Sequence, residues 1–263
     1  MTTLDATALG ALRRASELFR SAQRMLFITG AGLSAESGLP TYRGLGGLYE
    51  DRLTADGFSI EAVLSGLMLE QQPAVTWKYL VEIERACRGA GPNLAHVILA
   101  EFERRREHVV VLTQNVDGLH HRAGTQNLIE IHGRLHHLFC RDCDHRWDVP
   151  DYAGLSLPPV CPQCGGAVRP DVVLFGEMLP DAAVTRLEDE LSRGFDLVVS
   201  IGTSSVFPYI AAPVEWARWA RVPSIEINPG VTQVSSRVTV QLPFGAVASL
   251  SAIWNELYPD EAL

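Results

Sequence analysis

Four of the five cysteines in the chain form two pairs, Cys140-x2-Cys143 and Cys161-x2-Cys164, with 17 residues between them. Thiolates at that spacing can close a tetrahedron around a d10 ion. Four sulfurs leave no position open for a reacting water, so the expected metal is Zn2+ in a structural role. Gly165 and Gly166 follow the second pair, where a tight knuckle calls for an unrestricted backbone. The competing reading is four buried or redox-active cysteines. Cys87 stands apart on a helical pattern and reads as an ordinary buried thiol.

Two further stretches carry chemistry. "GAGLSA" (30–35) directly follows the apolar run "MLFIT" (25–29) and fits G-x-G-x-x-G/A, a turn that brings backbone N–H groups close to a pyrophosphate. It continues as "SAESGLPTYRG", with Glu36, Tyr42 and Arg43. A polar loop of that length can be anchored over a phosphate or can be plain surface. The stretch "VVVLTQNVDGLHH" (109–121) runs from an apolar strand straight into Gln114, Asn115 and Asp117. That polar run is either a loop leaving the core or the floor of a site at a strand's carboxyl end. A dehydrogenase would place a ribose-binding acid near Glu50, 20 residues beyond Gly30. That acid should end a second strand, and "GLGGLYEDR" is not one, which weighs against a dehydrogenase.

The elements that must position these residues follow from periodicity. Ala8, Leu12, Ala15, Phe19 and Ala22 recur at helical spacing, so the first 24 residues read as an amphipathic helix. A second helix is expected over 92–106, with Pro92 in its first turn and Ala95, Ile98, Leu99 and Phe102 on one face. Further helical patterns cover 181–193 and 208–220. "HVVVLT", "NLIEI", "FDLVVSIG", "PSIEIN" and "RVTVQL" are strand candidates. Continuous apolar strands alternating with helices indicate a parallel sheet covered on both faces. Residues 44–91, mostly helical, and 134–170, with the four cysteines, break the alternation. They are expected to pack together as a smaller lobe.

Composition narrows the partners. Lys and Arg number 22 against 31 Asp and Glu, a net charge of −9, which weighs against nucleic-acid and anionic-membrane partners. The basic run Arg104–Arg106 reads as a solvated helix end. The first residues carry Asp5 and Glu17 and no apolar signal segment. The longest charge-free stretch, Leu197 to Val214, is broken by Gly202, Thr203, Ser204, Ser205 and Pro208 and is not a membrane span. A cytoplasmic protein without disulfides is the expectation.

Taken in order, "GAGLSAESGLPTYRG", "TQNVDGLHHRAG", "EIHG", the paired Cys-x2-Cys, "VVLFGEMLP", "IGTSSVFPYIA" and "EINPG" resemble the sirtuins, the NAD-dependent protein lysine deacylases, over about residues 20 to 250. The resemblance implies one catalytic domain over 1–263: a Rossmann-like sheet with helices on both faces, plus a small lobe made of the helical insert (44–91) and the zinc module (134–170). NAD would be a consumed cosubstrate. Nicotinamide would leave, the acyl group would end on ADP-ribose, and the lysine of an acylated protein would be freed. His132, in "IEIHG", matches the general base, a task its ordinary pKa suits. Asn115, also part of the catalytic set, and Asp117 match the residues that hold the nicotinamide amide and ribose. Gln114 matches a ribose contact. Gly30, Ala31, Glu36, Arg43, Gly202, Thr203, Ser204 and Asn228 match further NAD contacts, Tyr42 stands with Arg43, and the adenine contact should fall near Val247. Val172, Val173, Phe175, Gly176 and Glu177 match the segment that receives the substrate by strand addition. His120, His121, His136 and His137 read as structural or exposed.

Two departures bear on the acyl group. Sirtuins that remove succinyl or malonyl groups typically carry Tyr-x-x-Arg in the helical insert. Here Tyr79 is followed by Glu82, whose charge would repel a carboxylate, although Ala35 in "AESG" is common in that same subgroup. Acetyl-lysine is therefore expected to be preferred over succinyl-lysine. A transferase of ADP-ribose to protein and an NAD-cleaving module without an acyl substrate are the alternatives.

Overall fold

A computed structural model describes residues 6–40, 53–261 and 263. Six parallel strands form the main sheet in the order β3-β2-β1-β7-β8-β9. These are β1 (Arg24–Thr29), β2 (His108–Thr113), β3 (Leu128–Glu130), β7 (Leu197–Ile201), β8 (Ser224–Ile227) and β9 (Val240–Leu242). The central strands are buried along nearly their whole length and mostly apolar, because both faces are covered. On one face Phe27, Val111 and Val199 pack with α1 (Ala6–Ser21), α6 (Leu94–Arg105) and α10 (Ala246–Leu257). On the other, Ile28, Val110 and Val198 pack with α8 (Asp181–Arg193) and α9 (Pro208–Ala220). The strand order reverses between β1 and β7, and open α/β sheets leave a ligand crevice beyond the carboxyl ends of the strands at such a switch point.

A second, antiparallel sheet has the order β5-β4-β6, with β4 (Gly133–Cys140), β5 (Arg146–Asp148) and β6 (Val168–Val172). Before it in the chain come α2 (Ala31–Ser34) with a 3-10 turn (Ala35–Ser37), then α3 (Ile60–Val63), α4 (Gly66–Gln71) and α5 (Pro73–Arg88). The short α7 (Leu119–Ala123) links β2 to β3. One apolar cluster joins Leu64, Trp77 and Leu80 of the helical stretch to Leu135, Leu138 and Tyr152 of the cysteine-bearing stretch. A polar contact of the buried Glu84 carboxylate joins them as well. Glu84 of α5 accepts from Arg88 Nε (3.1 Å) and lies 3.3 Å from His136 Nε2 on β4. Burial works against the Glu84 carboxylate, but Arg88 and His136 outweigh it and hold its pKa below the ordinary value.

Three expectations shift in detail. Helix α6 begins at Leu94, because Asn93 caps it in a box with His96; Pro92 therefore precedes the cap instead of lying in the first turn. In "RVTVQL" only Val240–Leu242 is strand, since Ser235–Arg237 form a 3-10 turn. In "NLIEI" only Leu128–Glu130 pair. Among the described residues no helix is long and apolar enough to cross a membrane.

Candidate active site

At the switch point two loops meet backbone to backbone. Gly30 N–H donates to Ile201 O (3.1 Å) and Gly32 N–H to Gly202 O (2.8 Å). A Cβ on Gly32 would lie 2.7 Å from Gly202 Cα, and one on Gly202, whose φ is +60°, would lie 2.4 Å from Leu33 N. The glycines are thus required first by contact between the β1 and β7 loops, and the N–H groups of Gly30 and Gly32 are already spent there.

The polar run after β2 is built into this floor. Asn115 Nδ2 donates to Gly30 O (3.0 Å) and Ser34 Oγ (3.1 Å), while Ser34 Oγ donates to Asp117 Oδ2 (2.7 Å). Asp117 also accepts from Leu119 N (2.9 Å). Burial raises the Asp117 pKa despite these bonds. Gln114 Nε2 donates to Thr203 Oγ1 (2.7 Å), and Asn228 Nδ2 donates to Thr203 O (3.1 Å). Beneath the floor His120 Nε2 lies 3.0 Å from Thr29 Oγ1, and the His120 ring meets His96 edge-on at 5.0 Å. His96 Nε2 and His120 Nδ1 are buried without a protein partner. Desolvation lowers the His96 pKa to about 4 and that of His120 well below its ordinary value.

His132 stands on the turn between β3 and β4, where the two sheets meet. Its Nδ1 lies 3.1 Å from Gln114 O and its Nε2 2.7 Å from Tyr209 Oη. Burial lowers its pKa, and the Gln114 carbonyl opposes that shift. Tyr209 lies inside "IGTSSVFPYIA", but its spacing there does not single it out: it follows Pro208 at the start of α9 and reaches His132 only because the fold closes 77 residues of separation.

His132, Tyr209 and Asn115 line a cleft cavity of about 1040 Å³. Gly30, Ala31, Glu36, Gln114, Gly202, Thr203, Ser204 and Asn228 share that lining, as do Val172, Val173, Phe175, Gly176 and Glu177. Asp117 instead lines an adjoining pocket of about 120 Å³ with Asn115, Tyr79, Glu82 and Cys87. Val247 lies outside the cavity lining: it is half-buried in the first turn of α10, and its N–H donates to Glu36 Oε1 (2.9 Å). One oxygen of Glu36 is thereby used to cap α10. Tyr42 and Arg43 lie outside the described residues.

The segment expected to receive a substrate strand is largely satisfied within the chain. Val173 N donates to His132 O (3.0 Å), Phe175 N to Leu64 O (2.9 Å) and Leu174 N to Glu177 Oε2 (2.8 Å). Glu177 is held in turn by both terminal nitrogens of Arg169, at 2.5 and 2.8 Å. Burial alone would raise the Glu177 pKa, but Arg169 keeps it below the ordinary value.

The four paired cysteines converge, with one sulfur from each within 4.8 Å of the others. Cys140 and Cys164 Sγ lie 3.5 Å apart, and Cys143 and Cys161 Sγ 3.7 Å. A tetrahedron with Zn–S bonds of about 2.3 Å has edges of roughly 3.8 Å, so the donor set fits zinc. Backbone N–H groups of Asp142, Gln163 and Gly166 point at sulfurs (3.3–3.4 Å), as thiolates require. Cys87 is a separate buried thiol whose pKa burial pushes up to about 12.

Residues 30–208 match the model of the Sir2 family. The chain is 48% identical to NAD-dependent protein deacylase 2 of Pseudomonas aeruginosa over 246 residues, covering 92% of this chain and 96% of that protein. It superposes on a Sir2 homologue–NAD complex with TM-score 0.84 at 31% identity, covering 94% of each chain. It also superposes on a mutant Sir2 homologue in complex with 2′-O-acetyl ADP-ribose with TM-score 0.85 at 31% identity, covering 95% of this chain and 98% of that one.

Proposed function

The chain belongs to the Sir2 family, and from that premise we propose how its cleft carries out the family's reaction. The protein is an NAD-dependent protein-lysine deacylase: nicotinamide is released from NAD, the acyl group passes to ADP-ribose, and free lysine is the other product.

The observation that carries the assignment is the setting of His132. A carbonyl oxygen can only accept, so Nδ1 bears the proton toward Gln114 O and Nε2 is left as the basic nitrogen of a residue that lines the cavity. A depressed pKa keeps that imidazole neutral near pH 7 and ready to take a proton from a ribose hydroxyl. NAD would lie across the glycine floor, held by Ala31, Gln114, Thr203, Ser204 and Asn228, and it supplies the ribose carbon that accepts the acyl oxygen. Asn115 and Asp117 would orient the nicotinamide amide: Asn115 opens on both cavities, and Asp117 lines the smaller one. The acylated segment would enter beside Val172–Glu177. Because several of its N–H groups are already paired, side-chain pockets and the remaining backbone groups must supply much of the recognition. A large sheet unit and a smaller unit comprising the insert and zinc module frame this cleft in the same proposal. The zinc module requires reduced thiols, which suits a cytoplasmic setting.

The acyl preference rests on the smaller pocket. Tyr79 and Glu82 line it, Tyr79 Oη is engaged with Asp56 Oδ2 (2.5 Å), and among the described lining residues none is basic. A succinyl carboxylate would enter without a partner and lose its hydration, so acetyl and other neutral acyl-lysines are the proposed substrates. The test is a panel of acyl-lysine peptides incubated with and without NAD, with products read by mass spectrometry. O-acetyl-ADP-ribose formed only with NAD is expected. An ADP-ribosylated protein or free ADP-ribose as the sole product would overturn the assignment.

A further inference from the structure

We propose that Tyr209 is a positioning residue for the reaction: its hydroxyl donates to Nε2 of His132 and fixes the tautomer and aim of the imidazole until a substrate hydroxyl takes its place. This rests on His132 being the base. With the Nδ1 proton committed to Gln114 O, Nε2 of the neutral ring can only accept, so at 2.7 Å Tyr209 is the donor. Both groups are in the form that bond needs, since burial lowers the His132 pKa and pushes Tyr209 up to about 12.

The tyrosine is itself held. It is the second residue of α9, after Pro208, and its ring lies against Phe207 at 5.4 Å with 13° between planes. Both rings meet the imidazole nearly edge-on, at 87° for Phe207 and 82° for Tyr209. Ile210 and Val214 anchor the helix in the apolar core beneath. The charged groups around His132 are otherwise engaged. Glu130 on β3 is paired with His121 (3.1 Å) and with Arg134 on β4 (3.2 Å), Glu177 with Arg169, and Glu36 with Val247 N. Asp117, beyond Asn115, is bonded to Ser34 and Leu119. Among the described residues, that leaves burial, the Gln114 carbonyl and the Tyr209 hydroxyl as the settings of this imidazole.

A donor to the neutral form stabilises that form, so removing it raises the pKa. A hydrogen bond of ordinary net strength corresponds to a shift of roughly half to one pH unit. The experiment is an NMR titration of the His132 ring, assigned by its loss in His132→Gln, in the wild type, Tyr209→Phe and Tyr209→Ala. The pH profile of kcat/KM for an acetyl-lysine peptide and a melting curve accompany each. The expected result is that Tyr209→Phe stays folded, the His132 titration moves up by that amount, and the acid limb moves with it. Activity below the limb then falls roughly three- to tenfold, with little change above it. An unmoved His132 titration in Tyr209→Phe overturns the inference. So does a shift seen only with Tyr209→Ala, which would assign the effect to the ring's burial of the imidazole. A His132 titration that moves while the acid limb stays put would leave the contact standing and overturn instead the assignment of His132 as base.

Discussion

The floor of the cleft and its wall are made to hold still by different means. In the floor, the β1 and β7 loops touch through glycine backbone, and Asn115, Ser34 and Asp117 form a closed chain of bonds. Its rigidity comes from the six-stranded sheet behind it, which is buried on both faces. The wall stands on three short antiparallel strands around the cysteine cluster, tied to α5 by one apolar cluster and by the Glu84–His136 contact. At the cysteine end, where Cys143 is half-buried and Cys164 exposed, little burial opposes chain entropy and a metal must make up the difference, while the apolar cluster of Trp77, Leu80, Leu138 and Tyr152 holds the end nearer α5. One side of the site is therefore fixed by sheet packing alone, the other by packing and metal coordination together, and His132 sits on the turn that joins them.

The strongest way to separate the two is to remove the metal. Chelation, or Cys143→Ser, should release zinc and melt the β4–β6 sheet together with activity, while the main sheet persists as a separate, higher-temperature transition. Zinc analysis beside thermal circular dichroism checks this. Metal-free protein that keeps its melting behaviour and its turnover would remove the distinction.

Next in size is the junction. His132→Ala should lower turnover on the order of 10²-fold or more, with NAD affinity by calorimetry changed far less. Equal loss of both would mean that His132 holds the turn together and performs no chemistry.

Acid probes the underside of the floor. In the unfolded chain the imidazoles of His96 and His120 take up protons near their ordinary pKa of about 6.5, whereas in the folded chain His96 does so only near about 4 and His120 lower still. Between those values the unfolded state holds the extra protons, so stability falls as pH falls from about 6.5 to about 4. His96 alone accounts for about 3 kcal/mol over that window. Urea melts at pH 7 and pH 5 measure it, and His96→Gln should flatten the dependence. Unchanged slopes would mean that neither imidazole is buried as described.

Gly202→Ala tests the floor's backbone contact directly. Its Cβ would meet Leu33 N at 2.4 Å, and the backbone atoms there cannot swing aside. A loss of roughly 1–3 kcal/mol is expected, with NAD affinity weakened and zinc content unchanged. The smallest effect concerns the acyl group. The ratio of kcat/KM for acetyl over succinyl peptides of one sequence should exceed one, by roughly tenfold if about 1.4 kcal/mol of desolvation goes uncompensated. Glu82→Arg should narrow it. A ratio favouring succinyl would show that an arginine from elsewhere reaches the pocket.

The sequence by itself determined the scaffold and the parts whose meaning is local. Continuous apolar runs such as Met25–Thr29 and Val109–Leu112 are strands because they are buried on both faces, and a helical period marks α8 and α9 to the residue. Cys-x2-Cys spacing is a local property of a knuckle, so the convergence of the four sulfurs was readable directly. The motif order from "GAGLSA" to "EINPG" pointed to the family, and most of the residues it marked line the cleft.

Tertiary structure alone decided how those parts are used. Gly30 and Gly202 face each other because β1 and β7 are neighbours across the switch point, so the glycine turn serves loop contact as much as any ligand. Glu36 and Val247 lie 211 residues apart and meet in a helix cap, which a reading of either segment cannot show. The same holds for Tyr209 against His132 and for His96 against His120. The physical reason is common to all four. A parallel sheet returns the chain through long crossovers to put the carboxyl ends of distant strands side by side, and side chains brought together that way carry no spacing signal along the sequence.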